Sequence, residues 1–300
     1  MTDGQLYAAG VCTTVVVIPT VGRPQTVRRV VNELTRQSRR PDRVLVVGAS
    51  AVDISGLENP PAWVEVHLAP RGSCAQRNYA LDLIGKQADF TAFFDDDFVP
   101  AEDYLARAEG LLMSHPDVVG VCGRPIADGA SGPGITFQEA VDLLADAPER
   151  APSSLIPLIG LYGCNMVFKT ASTMGARFDE NLPLYGWQED FDFSRQVSSH
   201  GRLVASLDLR GVHMGEKSGR GPGKRFGYSQ IANPIYLLRK GSMPGRRALR
   251  LMRDNVLSNF VRTPWPEPYV DRRGRLLGNT LALRDLVLGR LDPRRILDLD

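Results

Sequence analysis

The sequence has little that would hold it together or anchor it by anything other than a hydrophobic core. Its four cysteines, Cys12, Cys74, Cys122 and Cys164, form no Cys-x-x-Cys pair. That excludes a zinc knuckle or a dense disulfide framework and predicts reduced, buried thiols. No apolar run reaches the roughly 18 to 20 residues needed to cross a bilayer. The stretch Met1 to Gly10 lacks the basic flank of a secretory signal. These absences predict a cytoplasmic protein, with peripheral contact at the inner face of the membrane as its one route to lipid. Net charge is only +2, so nucleic acid is not an expected partner. No internal repeat is present. With 43% hydrophobic and 23% charged residues, disordered, collagen-like and coiled-coil architectures are excluded as well.

What is present is enough chain, 300 residues, for one large α/β domain with an appendage. Charge is uneven along it. Residues 239–300 carry 14 Lys and Arg against 7 Asp and Glu, and the first 238 carry 22 against 27. The sequence therefore divides into a slightly acidic body, 1–240, and a basic helical C-terminal extension, 241–300. In the body, β-branched apolar runs alternate with helical patterns. Strands are expected at Val11–Pro19, Arg43–Val47, Val64–Leu68, Phe90–Phe94 and Val118–Cys122, with helices after the first, third and fourth. The alternation predicts a mostly parallel sheet with helices on both faces, whose strand exits line one ligand-binding edge. Residues 215–227 read GEKSGRGPGKRFG, a composition that predicts a mobile cationic loop. The segments Tyr228–Arg239, Arg246–Val261 and Gly278–Leu291 read as helices. In the second, Arg246, Arg247, Arg250 and Arg253 recur among Leu249, Leu251 and Met252, a pattern that suits peripheral contact with anionic lipid and equally a helical buttress or dimer surface.

Three constellations carry chemistry. Asp95, Asp96 and Asp97 follow directly on an apolar strand, where adjacent carboxylates repel unless a cation compensates them. Hard oxygen ligands suit Mg²⁺ or Mn²⁺, although a solvated acidic turn would carry the same residues. Gln76-Arg77-Asn78 lies about one helix upstream, where a guanidinium could meet phosphate or ribose, and Thr20 to Pro24 could wrap a nucleoside. Trp187-Gln188-Glu189-Asp190 is a second acidic centre. Successive helical residues diverge by about 100°, so one of its two acids is free to face a cleft as a base while Trp187 offers a flat wall to an acceptor. Helix-dipole stabilisation alone would also favour acids there. His213 precedes the basic loop and could complete a mixed oxygen and nitrogen shell, with Lys217, Arg220, Lys224 and Arg225 available to fold over a pyrophosphate as a lid.

Taken in order, Val17-Ile-Pro-Thr-x-x-Arg-Pro24, Arg77-Asn78, Asp95-x-Asp97, Gly163-Cys-Asn-Met166, Glu189-Asp190 and His213 resemble the family 2 glycosyltransferases of the GT-A fold, over roughly Val11 to Lys240. The resemblance implies a Rossmann-like α/β sheet and inverting transfer from a nucleoside-diphosphate sugar to a carbohydrate or lipid-linked acceptor, in bacterial cell-surface polysaccharide or glycoconjugate synthesis. It implies Asp190 as base and Asp97 with His213 as ligands of Mn²⁺ or Mg²⁺. Pro19, Thr20, Arg23, Ser50, Arg77, Asn78, Asp95, Asp96 and Lys217 would contact the donor, and Asn165, Trp187 and Glu189 the acceptor. One departure stands out: many relatives carry an acid at the end of the second strand, where this chain has Gly48-Ala49-Ser50. Two other functions remain open on sequence. A sugar-phosphate nucleotidyltransferase would need a glycine-rich phosphate loop after the first strand, for which Thr20–Pro24 is too short. A non-catalytic nucleotide-sugar-binding scaffold would not need both acidic centres.

Overall fold

The computed structural model describes residues 12–148, 154–217 and 221–299. Arg220, one of the expected lid cations, and Val11, the first residue of the first expected strand, lie outside them. The elements are β1 Thr14–Thr20, α1 Pro24–Leu34, β2 Arg43–Gly48, β3 Val64–Leu68, α2 Ser73–Ile84, β4 Phe90–Phe94, β5 Phe98–Pro100, α3 Tyr104–Ser114, β6 Val118–Gly123, β7 Ala127–Asp128, α4 Phe137–Ala145, β8 Ile156–Leu158, β9 Asn165–Lys169, α5 Thr170–Thr173, α6 Glu189–Val197, β10 Arg202–Ser206, β11 Gly211–His213, α7 Gly223–Lys240, α8 Gly245–Arg262 and α9 Arg272–Val287.

Eight strands form one sheet in the order β3-β2-β1-β4-β9-β6-β10-β8. The β3-β2-β1-β4 half is parallel, whereas β9 runs antiparallel to both its neighbours and β8 antiparallel to β10. Val, Ile and Leu dominate β1 and β2, as expected of strands buried on both faces. Alternate residues feed two cores. Val16, Ile18, Val44, Val46 and Phe94 pack with α1 and α3, and Val15, Val17, Leu45, Val47 and Phe93 with α2 and α6. The mostly parallel α/β sheet expected from the sequence is thus present.

A second sheet, β5-β11-β7, is too short for periodicity to reveal. Its register matters to function, since His213 pairs with Phe98 on one side and with Asp128 on the other. This pairing brings a histidine from late in the chain beside the aspartates at the exit of β4.

The glycine-rich basic stretch departs from its expectation. Gly223 to Gly227 are the first turns of α7 rather than loop. A Cβ on Gly227 would lie 2.0 Å from the Arg275 carbonyl oxygen, and one on Gly278 would lie 2.1 Å from that of Lys224. These glycines let α7 and α9 cross at backbone contact, and the Asn279 amide donates to the Gly227 carbonyl at 2.6 Å. Beside the crossing, Tyr228, Ile231, Ala232 and Ile235 pack on Ala282, Ile296 and Leu299. The final helix also starts at Arg272, earlier than Gly278, capped by Asp271 on the Gly274 amide.

Candidate functional site

The strand exits open into a cleft of about 1330 Å³, closed on its far side by α7, α8, α9 and the segment before α9. Single small-molecule sites typically enclose about 300 to 1000 Å³, so this cleft has room for a donor and an acceptor together. Pro19, Thr20, Arg23, Arg77, Asp95, Asp96, Trp187, Glu189, Asp190, His213 and Lys217 all line it.

The three aspartates diverge in environment. Asp96 is buried, accepts from the Thr20 hydroxyl at 2.7 Å and pairs with Arg23 at 2.7 Å. Burial pushes its carboxyl up, against the pull of Arg23. Asp97 lies just beneath the cleft surface. Its Oδ2 accepts the Glu216 amide at 2.8 Å and faces Arg23 at 3.2 Å, while its Oδ1 lies 3.4 Å from His213 Nε2. Burial would raise Asp97, but His213, Arg23 and that amide hold it below the ordinary carboxylate range. Asp95 turns the other way and accepts from Arg77 at 2.7 Å.

Ligand atoms of Asp95, Asp97 and His213 all lie within 4.8 Å of one another. Two carboxylates and one imidazole make a donor set that suits Mn²⁺ or Mg²⁺. His213 is also oriented as a ligand. Its Nδ1 meets Asp128 at 2.9 Å, and the Tyr162 hydroxyl lies 3.0 Å from that nitrogen and donates to Asp128 at 2.9 Å. Engaging Nδ1 in this way leaves Nε2 for the cluster, the arrangement by which outer partners fix a ligand's tautomer. The residues present therefore fit a divalent ion. Asp95, which the sequence placed among donor contacts, stands in the metal group, and Asp96 is held away from it by Thr20 and Arg23.

The second acidic centre is set by a tight turn. Leu184, Gly186 and Gln188 all have positive φ, at 60°, 63° and 74°. For Leu184 and Gln188 this is an uncommon conformation of the kind found beside functional residues. The turn launches α6 at Glu189. Asp190 Oδ2 accepts the Gly163 amide at 2.9 Å and Oδ1 the Phe191 amide at 2.8 Å. Burial raises its carboxyl, and those amides only partly offset the rise. A Cβ on Gly163 would stand 3.0 Å from Asp190 Oδ2, so the glycine of Gly163-Cys-Asn-Met166 permits this close approach. Glu189 turns instead to Arg77, whose other amino group holds Asp95. Burial raises Glu189 to about 8 against the pull of Arg77. One buried guanidinium thus ties the two acidic centres together, so Arg77 meets carboxylates where the sequence suggested phosphate or ribose.

Three expected contacts are not brought to the cleft. The Asn78 amide donates to the Phe178 carbonyl at 2.9 Å and to Glu180 at 2.8 Å, and its Oδ1 accepts the Phe178 amide. These bonds clamp α2 to the loop before the second acidic centre. Asn165 is fully buried at the start of β9 and bonds the Gly123 carbonyl at 3.3 Å. Ser50 donates to Asp53 at 2.9 Å. Lys217 lies in the cleft, with its ammonium on the Gly129 and Ala130 carbonyls at 2.8 and 3.1 Å.

Sequence reasoning missed Asp53, Asp128 and Tyr162, and it set Arg247 on a lipid-facing stripe with Arg246, Arg250 and Arg253, whereas Arg247 is half-buried and lines the cleft. Asp53 is buried just past β2 and accepts from the amides of Gly22, Ala49 and Ser50 at 2.6, 3.1 and 2.8 Å. An acid does therefore stand at the exit of β2, three residues later than expected. The Ser50-x-x-Asp53 spacing of a capping box was the available signal. Asp128 and Tyr162 carried no local signal.

No protein-family model matches the chain. Over 132 residues, 41% of this chain and 22% of the other protein, it is 31% identical to a probable glucomannan 4-beta-mannosyltransferase 1 of Arabidopsis thaliana. The match therefore spans about a fifth of that relative's length. Among solved structures, S. aureus TarS 1-349 superposes with a TM-score of 0.54 at 16% identity, covering 95% of this chain and 82% of that one. The mannosyltransferase PcManGT of Pyrobaculum calidifontis, solved with GDP-Man and Mn²⁺, gives 0.55 at 15% identity, covering 95% and 85%. GalNAc-T7, solved with UDP, GalNAc and Mn²⁺, gives 0.55 at 12% identity, covering 98% and 57%. This chain has the GT-A fold of these glycosyltransferases.

Proposed function

We propose that the chain is an inverting family 2 glycosyltransferase that moves a hexosyl group from a nucleoside-diphosphate sugar to a hydroxyl of a carbohydrate or lipid-linked acceptor, in bacterial cell-surface polysaccharide or glycoconjugate synthesis. One observation carries the reading: a divalent-ion donor set and the half-buried Asp190, whose neighbour Glu189 shares the Arg77 guanidinium with Asp95, meet at one cleft of the GT-A fold. The nucleotide sugars bound by the structural neighbours support the donor class.

Asp95, Asp97 and His213 would hold Mn²⁺ or Mg²⁺, which when bound offsets charge on the diphosphate leaving group. Pro19, Thr20 and Arg23, braced by Asp96, line the strand exits where the nucleoside would lie, and Lys217 adds a cation to the diphosphate side. Asp190 takes the proton of the acceptor hydroxyl at a carboxylate oxygen as that hydroxyl attacks the anomeric carbon. The Gly163 and Phe191 amides fix its position. Trp187 walls the acceptor side, and Glu189 steadies the turn through Arg77. A nucleotidyltransferase fits less well. The Gly22 amide after β1, which such an enzyme would point at a triphosphate, is spent on the Asp53 carboxylate, an anion that would repel phosphate.

The catalytic unit of this proposal is residues 1–240, with 241–300 as an extension seated on α7 through the glycine crossing. Among the described residues no helix is long and apolar enough to cross a membrane. We place the enzyme in the cytoplasm, resting on anionic lipid at the inner membrane face. On α8 and just beyond it, Leu249, Leu257, Phe260, Val261 and Trp265 are exposed beside Arg246, Arg250 and Arg253. Leu251 and Met252, the sequence's other candidates for that face, pack inward. Co-sedimentation with anionic vesicles should be lost in a Phe260→Ser, Trp265→Ser double variant.

The activity is tested by incubating the chain and Mn²⁺ with uridine, thymidine and guanosine diphosphate hexoses and following the anomeric proton by NMR. An α-linked donor should give a β-configured product or slow release of nucleoside diphosphate. Retention of configuration would refute inversion, and no turnover of any donor would refute the transferase reading.

A further inference from the structure

Arg247 stands in the first turn of α8 and reaches the segment that carries Asp190. Its guanidinium carbon lies 4.3 Å from the centre of the Phe191 ring, and one amino group meets the Gln188 side chain at 3.4 Å, a long hydrogen bond. Both residues that Arg247 touches lie within two positions of Asp190 in sequence. The group is half-buried and lines the cleft, yet its Nε is buried without a hydrogen-bond partner. No described carboxylate oxygen lies within ion-pair distance of it. Several other arginines of the cleft are committed, Arg23 to Asp96 and Asp97, Arg77 to Asp95 and Glu189, Arg272 to Glu267, and Arg225 to the Leu299 carbonyl, while Arg71 and Arg124 are exposed rather than half-buried. Burial works against the charge of Arg247, and the negative charge of Asp190 favours it. Stacking on an aromatic face holds a guanidinium in place while leaving its N–H edge for an oxyanion.

The surrounding wall has the same sign. Arg225, Arg262, Arg272 and Arg275 line it with Arg247, against Asp271 as the acid of that wall among the lining residues. The strand-exit end carries both signs, with Asp95, Asp96, Glu189 and Asp190 beside Arg23, Arg71, Arg77, Arg124 and Lys217, and it holds the candidate metal group. A donor diphosphate would lie at that end, so a cation beside the base serves whatever presents its hydroxyl to Asp190.

We propose that Arg247 is an acceptor-specificity residue: the acceptor carries an oxyanion, phosphate or carboxylate, that Arg247 binds within reach of Asp190. The proposal rests on the glycosyltransferase reading for the word acceptor, whereas the anion subsite itself can be measured without it. Charge-assisted hydrogen bonds are worth about 1.5 to 3 kcal/mol, so losing this one should cost about tenfold or more in affinity.

The test titrates glucose, glucose 6-phosphate and glucuronate into the full chain by calorimetry, with and without UDP or GDP plus Mn²⁺. With nucleotide present, the charged sugars should bind at least about tenfold tighter than glucose. Whichever of the two binds tighter identifies phosphate or carboxylate as the favoured anion. Arg247→Gln should abolish the preference and Arg247→Lys should keep part of it, both with unchanged thermal unfolding and nucleotide affinity within about twofold. Equal affinity for charged and neutral sugars, or a preference that survives Arg247→Gln, overturns the subsite. Failure of every nucleotide to bind would instead overturn the donor reading, and the titration without nucleotide still decides the subsite.

Discussion

The two acidic centres of the cleft are built in opposite ways. At the exit of β4, Asp97 faces a guanidinium, an imidazole and an amide, and its carboxyl is held low. At the start of α6, Asp190 has two backbone amides and no cation in ion-pair contact among the described residues, and burial raises its carboxyl. The difference separates roles. A carboxylate surrounded by positive groups stays charged at any working pH and suits a metal or phosphate site. A carboxylate buried among amides gains affinity for a proton and suits a base. Pushing two carboxyl groups apart in this way is a recurring means of assigning acid and base roles in one site.

The sharpest way to break the comparison is at Asp190. General-base assistance is worth about 10² to 10⁴ in rate, so Asp190→Asn should lower kcat by that factor and leave nucleotide affinity unchanged. Because a base must be deprotonated and Asp190 is raised, kcat of the parent should fall on acidification at a pH above the ordinary aspartate range. A variant retaining transfer to within a few-fold, or an acid limb at the pH of a solvated aspartate, would remove the distinction. Next in size is the guanidinium that joins the centres. Arg77→Met leaves the buried Glu189 and the half-buried Asp95 without their shared guanidinium and should cost about 3 to 5 kcal/mol in urea unfolding. A loss below 1 kcal/mol would mean that the centres do not depend on it. Smaller again is the support behind His213, where Asp128→Asn should weaken Mn²⁺ binding about 10- to 100-fold. Unchanged Mn²⁺ affinity would show that His213 needs no orienting partner.

How much of this was legible in sequence depended on how local each signal was. Strands Val64–Leu68 and Phe90–Phe94 match their expected bounds, because their apolar runs are flanked by clear turn residues. Asp95-Asp96-Asp97 and Glu189-Asp190 announced themselves by adjacency. Asp128 and His213 meet only because β7 and β11 pair across 85 residues of chain, through strands too short to show a period. The glycines at 223 and 227 misled for a related reason. Glycine marks a flexible loop and a close helix crossing equally well, and only the arrival of Arg275 and Asp271 against them distinguishes the two. Asn78 and Asn165 sat beside the right motifs, but their amides saturate backbone groups that fasten α2 and β9 in place.

The central claim is that Asp97, kept charged by its neighbours, anchors a divalent ion that Asp190 does not touch. Electron paramagnetic resonance of Mn²⁺ titrated into the full chain with UDP or GDP measures this directly. One ion bound per chain is predicted, released in Asp97→Ala and retained in Asp190→Asn. Binding that survives Asp97→Ala, or that disappears in Asp190→Asn, would contradict the account.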